Sequence, residues 1–196
     1  MEPGTINSKG SIFVSGIGTL TNTGTITNSS TIVSNKSIDN SGTINNTGVI
    51  LVNDEITGVA PSGDGAYYKP DSTTGVINVT DNMKLLPQSS FLIKSDQHLV
   101  INDTKTFMIS ANSNLTNEGT LMNSGMFNNN QTIINNNTIL SGSDLKNVVD
   151  GATSKYYKPD NSGTINITDN LTMPNATFTV HTGKTLKIHD EVTFTV

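Results

Sequence analysis

The 196-residue chain contains no cysteine and no tryptophan, and all eleven of its basic residues are lysine. The lack of cysteine excludes disulfides and thiolate metal sites. The lack of arginine, together with a formal net charge of −5, argues against nucleic-acid binding, because arginine supplies many of the contacts to phosphates and bases. We therefore expect no nucleic-acid partner.

Apolar and charged residues are also scarce, at 33% and 14% of the chain, and aromatic residues make up 5%. No apolar run approaches the ~20 residues that a membrane-spanning helix needs, which predicts no membrane insertion by this segment. The first four residues lack the basic start and apolar stretch of a signal peptide. Because repetition begins almost at once and still continues at Val196, we expect a fragment of a longer protein.

The apolar residues that are present recur every six positions. A glycine or small polar residue stands two places before most of them, and an asparagine usually stands two places after. Fixed-period similarity of this kind indicates a stacked-repeat architecture. The two runs are Leu20, Ile26, Ile32, Ile38, Ile44, Ile50, Ile56 and Leu115, Leu121, Phe127, Ile133, Ile139, Leu145.

Each six-residue unit predicts one short strand followed by a corner, because threonine, isoleucine and asparagine are poor helix formers and glycine breaks helices. Ordering six backbone residues costs roughly 6–12 kcal/mol at about 1–2 kcal/mol each. Burying one isoleucine returns only about 1.5–3 kcal/mol. A single unit should therefore not fold alone, and stacking on the units above and below must supply the rest.

Elsewhere the spacing is eight, as in Phe91, Leu99 and Phe107. Three sides of equal length, each of six or of eight residues, would complete one coil, so we predict an all-β, three-sided parallel β-solenoid. Left-handed hexapeptide helices usually carry a small or acidic residue directly after the aliphatic one. Here that place holds Thr21, Thr27, Val33, Asp39, Asn45 and Leu51. This departs from the left-handed pattern, and a right-handed coil is therefore favoured.

A second, longer repeat contains the short one. Tyr67-Tyr68-Lys69-Pro70-Asp71 recurs as Tyr156-Tyr157-Lys158-Pro159-Asp160, 89 positions later, and the offset is 87 further along the chain. We predict one continuous solenoid over 1–196, with repeat copies at about 12–106 and 107–193. Residues 194–196 would open a third copy.

The string from Gly18 to Asn28, GTLTNTGTITN, resembles tracts of bacterial cell-surface proteins, and the segment from Ala176 to Ile188 is similar to segments that accompany them. This resemblance to adhesin-like, haemagglutinin-like repeat proteins covers nearly the whole chain. It implies an extracellular, secreted segment at the bacterial cell surface, and it brings no catalytic motif.

No phosphate-binding loop, nucleophile elbow, dense acidic cluster or shared histidine position is present, so we expect no enzyme, no cofactor and no metal site. The duplicated tyrosine motif is the most distinctive local feature. Its tyrosines could stack on a sugar while the lysine and aspartate bind hydroxyl groups, or they could pack on the solenoid where a loop leaves it. The candidate ligand-binding residues are Tyr67, Tyr68, Lys69, Asp71, Tyr156, Tyr157, Lys158 and Asp160.

These features favour a non-enzymatic structural or adhesive repeat that forms a rigid rod or stalk in a large surface protein. End-to-end self-association through unpaired strand edges is the expected partner interaction. The alternative is a carbohydrate-binding module that uses the tyrosine loops to bind a host or surface glycan.

Overall fold

The computed structural model describes residues 4–15, 18–173 and 176–195. Residues 1–3, 16–17, 174–175 and 196 lie outside this range, including the last residue of the predicted third copy. The described residues form 26 strands and no helix, and the paired strands are parallel. They build a β-solenoid of about nine turns, which confirms the predicted fold class.

Strand pairing follows a three-sided coil, because most strands in the six-residue runs pair with the third strand along the chain. The strands that contain Ile50, Ile133 and Ile139 pair instead with the second strand along. Ile26 lies opposite Ile44 on the next coil, which is three sides of six further along the chain. Phe91 lies opposite Leu115, which is three sides of eight further along. Both predicted coil lengths are therefore present. The right-handed sense of the coil stays a prediction.

The strand ladders fall into three groups, which we call stack one (5–68), stack two (76–157) and stack three (164–195). Among the described residues, no ladder joins one stack to the next. The sequence-based repeat boundaries stay a prediction, but the ladders are interrupted elsewhere, at 69–75 and 158–163.

Stack one contains the strands Thr5–Ser8 (β1), Ile12–Val14 (β2), Leu20–Asn22 (β3), Thr25–Asn28 (β4), Thr31–Ser34 (β5), Ile38–Asn40 (β6), Thr43–Asn46 (β7), Val49–Val52 (β8), Ile56–Gly58 (β9) and Ala66–Tyr68 (β10). Its sheets have the orders β1-β4-β7, β2-β5-β8-β10 and β3-β6-β9.

Stack two contains Val76–Val79 (β11), Met83–Leu85 (β12), Ser90–Ile93 (β13), His98–Ile101 (β14), Thr106–Ile109 (β15), Asn114–Asn117 (β16), Thr120–Asn123 (β17), Met126–Asn129 (β18), Ile133–Asn135 (β19), Thr138–Ser141 (β20), Val148–Asp150 (β21) and Lys155–Tyr157 (β22). Its sheets have the orders β11-β14-β17-β20-β22, β12-β15-β18 and β13-β16-β19-β21.

Stack three contains Thr164–Ile167 (β23), Leu171–Thr172 (β24), Thr185–Ile188 (β25) and Phe194–Thr195 (β26). β23 pairs with β25, and β24 pairs with β26.

The interior of each stack is a file of apolar side chains, most of them aliphatic. Strands of the six-residue runs supply one such side chain, whereas longer sides can supply two, as Phe91 and Ile93 do. Ile26, Ile32 and Ile38 are all fully buried, as the six-residue period predicts. In stack two the rings of Phe107 and Phe127 stack with their centroids 5.2 Å apart. Burial of these columns stabilises each coil only when a neighbouring coil covers it, which is why the units must stack.

Buried asparagines form a second column at the corners of the coil. Asn28 donates from Nδ2 to Oδ1 of Asn46 at 2.7 Å, and Asn117 donates likewise to Asn135 at 2.9 Å. These four side chains are at most 1% exposed. A hydrogen bond contributes about 0.5–1.5 kcal/mol net, whereas an unpaired buried amide would cost more, so the column fixes the register of successive coils.

At several corners of the coil, a glycine stands just before the strand, and there two coils approach closely. A Cβ atom on Gly48 would lie 2.0 Å from the carbonyl oxygen of Ser30 on the coil before. Such a contact is impossible without moving the backbone, and the recurrence of glycine at this corner reflects the close approach of the coils.

Candidate functional site: the junctions between stacks

One outer face of stack one is apolar, unlike its other two faces. Phe13, Val33, Leu51 and Tyr68 are successive partners in the sheet β2-β5-β8-β10. Each follows an inward-facing residue, so its side chain points away from the interior of stack one. Val33 is 2% exposed, Leu51 is fully buried and Tyr68 is 6% exposed. The face is therefore covered by another part of the chain.

The cover is the open end of stack two. Val33 and Leu51 belong to the same apolar cluster as Leu85 and Phe91, which lie in the first coil of stack two. The side of one stack thus closes the end of the next, and we call this contact junction one. It removes from water both an apolar sheet face and an apolar interior that would otherwise end in solvent.

The same arrangement recurs between stacks two and three, where we call it junction two. Val100, Met122, Leu140 and Tyr157 are successive partners on one face of stack two. They form a cluster with interior residues of stack three. Those interior residues are Ile165, Ile167, Leu171 and Met173, each at most 7% exposed.

Polar contacts fix the position of stack two on stack one. The side chain of Asn35 donates to the carbonyl oxygen of Ser90 and accepts from the amide of Leu92, both at 3.0 Å. Buried Gln97 donates to the carbonyl oxygen of Asn53 at 2.6 Å. These bonds satisfy backbone groups at the ends of both stacks.

Junction two repeats part of this pattern with different residues. The amide of Thr179 donates to Oγ of Ser124 at 2.9 Å. Nε2 of His181 lies 2.6 Å from the carbonyl oxygen of Ser124 and 3.6 Å from Oδ1 of Asp103. Ser124 thus takes the place that Asn35 has at junction one, 89 positions earlier.

The first tyrosine of each duplicated motif closes the end of its own stack. Tyr67 lies opposite Ile50 in the ladder, and Tyr156 lies opposite Ile139, so both rings continue the interior file. The hydroxyl oxygen of Tyr67 accepts from the amide of Ile56 at 2.8 Å. Burial is the main cause that raises the pKa of Tyr67 and of Tyr156.

The second tyrosine connects its stack to the next one. Tyr68 donates to Oδ2 of Asp81 and Tyr157 donates to Oδ2 of Asp169, both at 2.8 Å. Burial, followed by this hydrogen bond, raises the pKa of each tyrosine to about 12. The hydroxyl of Tyr157 is also the main cause that lowers the pKa of Asp169, followed by Lys155 at 3.2 Å.

The remaining residues of the motif lie in the loop that leaves each stack. Lys69 lies 4.0 Å from Glu55, while Lys158 lies 2.6 Å from Asp144 and 5.0 Å from the ring centre of Tyr156.

The two aspartates of the motif begin tight turns. Asp71 accepts from the amides of Thr73 and Thr74, and Asp160 accepts from those of Ser162 and Thr164. Hydrogen bonds to these carboxylates lower the pKa of both aspartates, with a backbone amide as the largest cause for Asp71 and the Ser162 hydroxyl for Asp160.

The structure thus brings each set of four candidate residues to one junction. Their role as a ligand site stays a prediction.

The apolar outer faces were not recognised from the sequence, although Val33, Leu51, Met122 and Leu140 carry a signal. Each stands directly after an inward aliphatic residue, where threonine or asparagine is more usual, and the members of each pair lie one coil apart.

Within the part of the chain that the structure describes, no group of three or more His, Cys, Asp or Glu residues is placed to hold a metal ion. The same residues contain no helix long and apolar enough to cross a membrane. A comparison with family models, curated proteins and solved structures finds no match to this chain.

Proposed function

We propose that this chain is a non-enzymatic structural segment of a large bacterial surface protein, in which linked solenoid stacks hold other parts of the protein at a fixed distance. The observation that carries the proposal is the junction, in which an apolar face of one stack closes the open end of the next. Segments of one chain move relative to each other unless their interface is large and apolar. Both junctions have an apolar interface in which residues of the two stacks are buried together.

A stalk also has to resist local opening at its weakest points, which are the ends of the stacks. Tyr67 and Tyr156 fill those ends, and Tyr68 and Tyr157 hold the following stack by a hydrogen bond. The duplicated motif therefore serves one purpose in each copy, and its duplication supports a role in building an array. The adhesive part of the proposal rests on the outward threonine, serine and asparagine side chains, which offer hydroxyl and amide groups.

The fixed spacing can be tested by measuring one distance across junction one. Because the chain has no cysteine, spin labels can be attached at Asn45→Cys in stack one and Asn128→Cys in stack two, both exposed positions. We expect a single narrow distance distribution in pulsed electron resonance, and a broad one when Leu51→Asp is added. The matched control is Thr27→Asp, on an adjacent face of the same stack. A broad distribution in the unmodified labelled chain would contradict the proposal.

The cellular part of the proposal needs a separate test. Antibodies against the chain should label intact source cells, and protease added to those cells should remove the label.

A glycan array separates passive spacing from sugar recognition. The labelled wild-type chain is compared on it with a double variant that carries Lys69→Ala and Lys158→Ala. Glycan binding that requires these lysines would favour the carbohydrate-binding alternative.

A further inference from the structure

One further outer face of stack two carries apolar side chains, and most of this face is exposed. It belongs to the sheet β13-β16-β19-β21, in which the outward side chains lie on successive strands of one ladder. Ile134 is 38% exposed and Val149 is 57% exposed. Scattered apolar residues are normal on protein surfaces, but aligned ones form a continuous ridge. We call this ridge the lateral row, and its members are Leu92, Thr116, Ile134 and Val149.

Stack one shows that the coil does not require apolar residues at these places. Its matched row lies on β1, β4 and β7 and ends at an isolated bridge, and its members are Asn7, Thr27, Asn45 and Ser62. All four are polar. Asn45 corresponds to Ile134, 89 positions later, as Thr27 corresponds to Thr116. The apolar residues of the lateral row therefore need a reason other than the folding of the coil.

The lateral row begins at junction one. In its first strand, the carbonyl oxygen of Ser90 and the amide of Leu92 both bind the side chain of Asn35 from stack one. Leu92 is half-buried beside this contact, whereas Ile134 and Val149, farther along the ladder, are exposed. The row therefore continues the contact surface of junction one along the side of stack two.

The two apolar outer faces that are covered in this chain indicate what kind of surface fits the lateral row. At both junctions the cover is apolar surface of the same chain, contributed by another stack. The described residues leave Ile134 and Val149 uncovered. A stack from a second copy supplies the same kind of surface.

The charges at the ends of the strands favour an antiparallel partner of the same sequence. At the C-terminal ends, Glu118 follows β16 and Asp150 ends β21, and both are exposed. Lys94 follows β13, and its Nζ lies 3.7 Å from Oδ2 of Asp54, which balances its charge. This side of the sheet is therefore acidic.

The N-terminal ends of the strands carry the opposite charge. Lys146 precedes β21 and is exposed. The nearby Asp144 lies 2.6 Å from Nζ of Lys158, which balances its charge. When two such sheets meet face to face with their strands antiparallel, the acidic side of each lies beside the basic side of the other. The face is thus complementary to a second copy of itself.

We infer that the lateral row packs against the same row of a second copy of this chain, about a two-fold axis parallel to stack two. This axis keeps the strands at the same level and reverses their direction, so Thr116 meets Thr116 and Ile134 meets Ile134. A self-complementary patch about a two-fold axis is the commonest form of association between identical chains. The contact goes beyond the proposed spacing role and does not depend on it.

The size of the face predicts a weak contact between isolated chains. Four strands about 4.8 Å apart, each about four residues long, present roughly 200–250 Å² of flat surface. A stable interface typically buries about 800 Å² on each partner. Isolated chains should therefore associate only at high concentration, whereas chains held side by side on one surface would associate more strongly through several rows at once.

The first test is sedimentation equilibrium of the full chain up to millimolar concentration. We expect a reversible dimer, which the double variant Ile134→Asn with Val149→Ser weakens about tenfold or more because apolar burial is lost. Stack one carries these residue types at the matched places, so the variant should fold, as circular dichroism will check. The control is Met126→Asn with Val59→Ser, which removes two exposed apolar side chains from other surfaces and should leave the association unchanged.

The second test uses the absence of cysteine from the chain. Thr116→Cys places one thiol in the lateral row, and Thr27→Cys places one at the matched position of stack one; both positions are half-buried. Under mild oxidation we expect disulfide-linked dimers to form about tenfold or more faster from Thr116→Cys, because the paired copies hold the two thiols at a high effective concentration.

Four results would overturn the inference. A folded chain that stays monomeric at millimolar concentration has no such contact. Equal weakening by the lateral and control double variants would mean general apolar adhesion. A dimer that survives the lateral double variant would place the contact on another surface, such as the free strand edges. Equal oxidation rates for Thr116→Cys and Thr27→Cys would mean random collision. None of these results bears on the spacing measured across junction one.

Discussion

Tyr157 donates its hydroxyl hydrogen to Asp169 at 2.8 Å, and the two residues belong to different stacks. Tyr68 and Asp81 repeat this bond at the preceding junction with the same distance. In both places the tyrosine ring is part of the apolar face, while its hydroxyl reaches the first coil of the next stack. One residue type therefore contributes to both the apolar and the polar halves of each junction.

This bond predicts a pH dependence at junction two. The pKa of Asp169 is lowered in the folded chain, so its charged form stabilises the fold at pH values above its unfolded pKa near 3.8. That contribution is lost as the pH falls below 3.8 and through the lowered folded value. We expect Tyr157→Phe to weaken the acid dependence of unfolding by urea, measured between pH 5 and pH 2. An unchanged pH profile would show that the bond does not contribute.

Met122 provides a test of how far stack three depends on junction two. It is 1% exposed and packs against the interior of stack three. Met122→Asp would place a charge in this apolar contact, at a cost of several kcal/mol. We expect hydrogen exchange of the amides in 164–195 to become faster, while Asn128→Asp on another outer face leaves it unchanged. Equal exchange in both variants would mean that stack three is stable without its cover.

Asn28 tests the contribution of the asparagine column. Its Nδ2 donates to Asn46 at 2.7 Å and to the carbonyl oxygen of Val49 at 3.2 Å. Removing one partner of a buried hydrogen bond costs about 1–3 kcal/mol. We expect Asn28→Ala to lower the free energy of unfolding in urea by this amount. Asn45→Ala, at an exposed position of the same ladder, should change it by less than about 0.5 kcal/mol.

Gly48 tests the close approach of coils at the corners. Because an added Cβ atom would lie 2.0 Å from the carbonyl oxygen of Ser30, Gly48→Ala must shift the backbone between two coils. We expect a clear fall in the midpoint of thermal unfolding, followed by circular dichroism. Gly10→Ala is the control, since nothing lies within 4 Å of its added Cβ atom. A similar midpoint for both variants would contradict the account of these corners.

The coil itself could be predicted from the sequence, because its cause is local. One inward aliphatic residue per strand and a glycine or asparagine at each corner repeat at a fixed period, so Ile26, Ile32 and Ile38 had to lie in one interior file. The two coil lengths follow directly from three sides of six and three sides of eight. No long-range information is needed for these features, because neighbouring coils repeat the same pattern.

The division into stacks was decided by the tertiary structure. An apolar residue on the outer face, such as Val33 or Met122, reveals that something covers it but does not identify the cover. Only the three-dimensional arrangement shows that the open end of the following stack lies there, although the two segments are far apart along the chain.

The tyrosine motif also depended on the tertiary structure. Its sequence permitted either a sugar site or a packing role, and the positions of Asp81 and Asp169 determined which groups the hydroxyls contact. Apolar burial has no direction of its own, so the sequence set how each coil forms, whereas packing between distant segments set where each stack ends and what it touches.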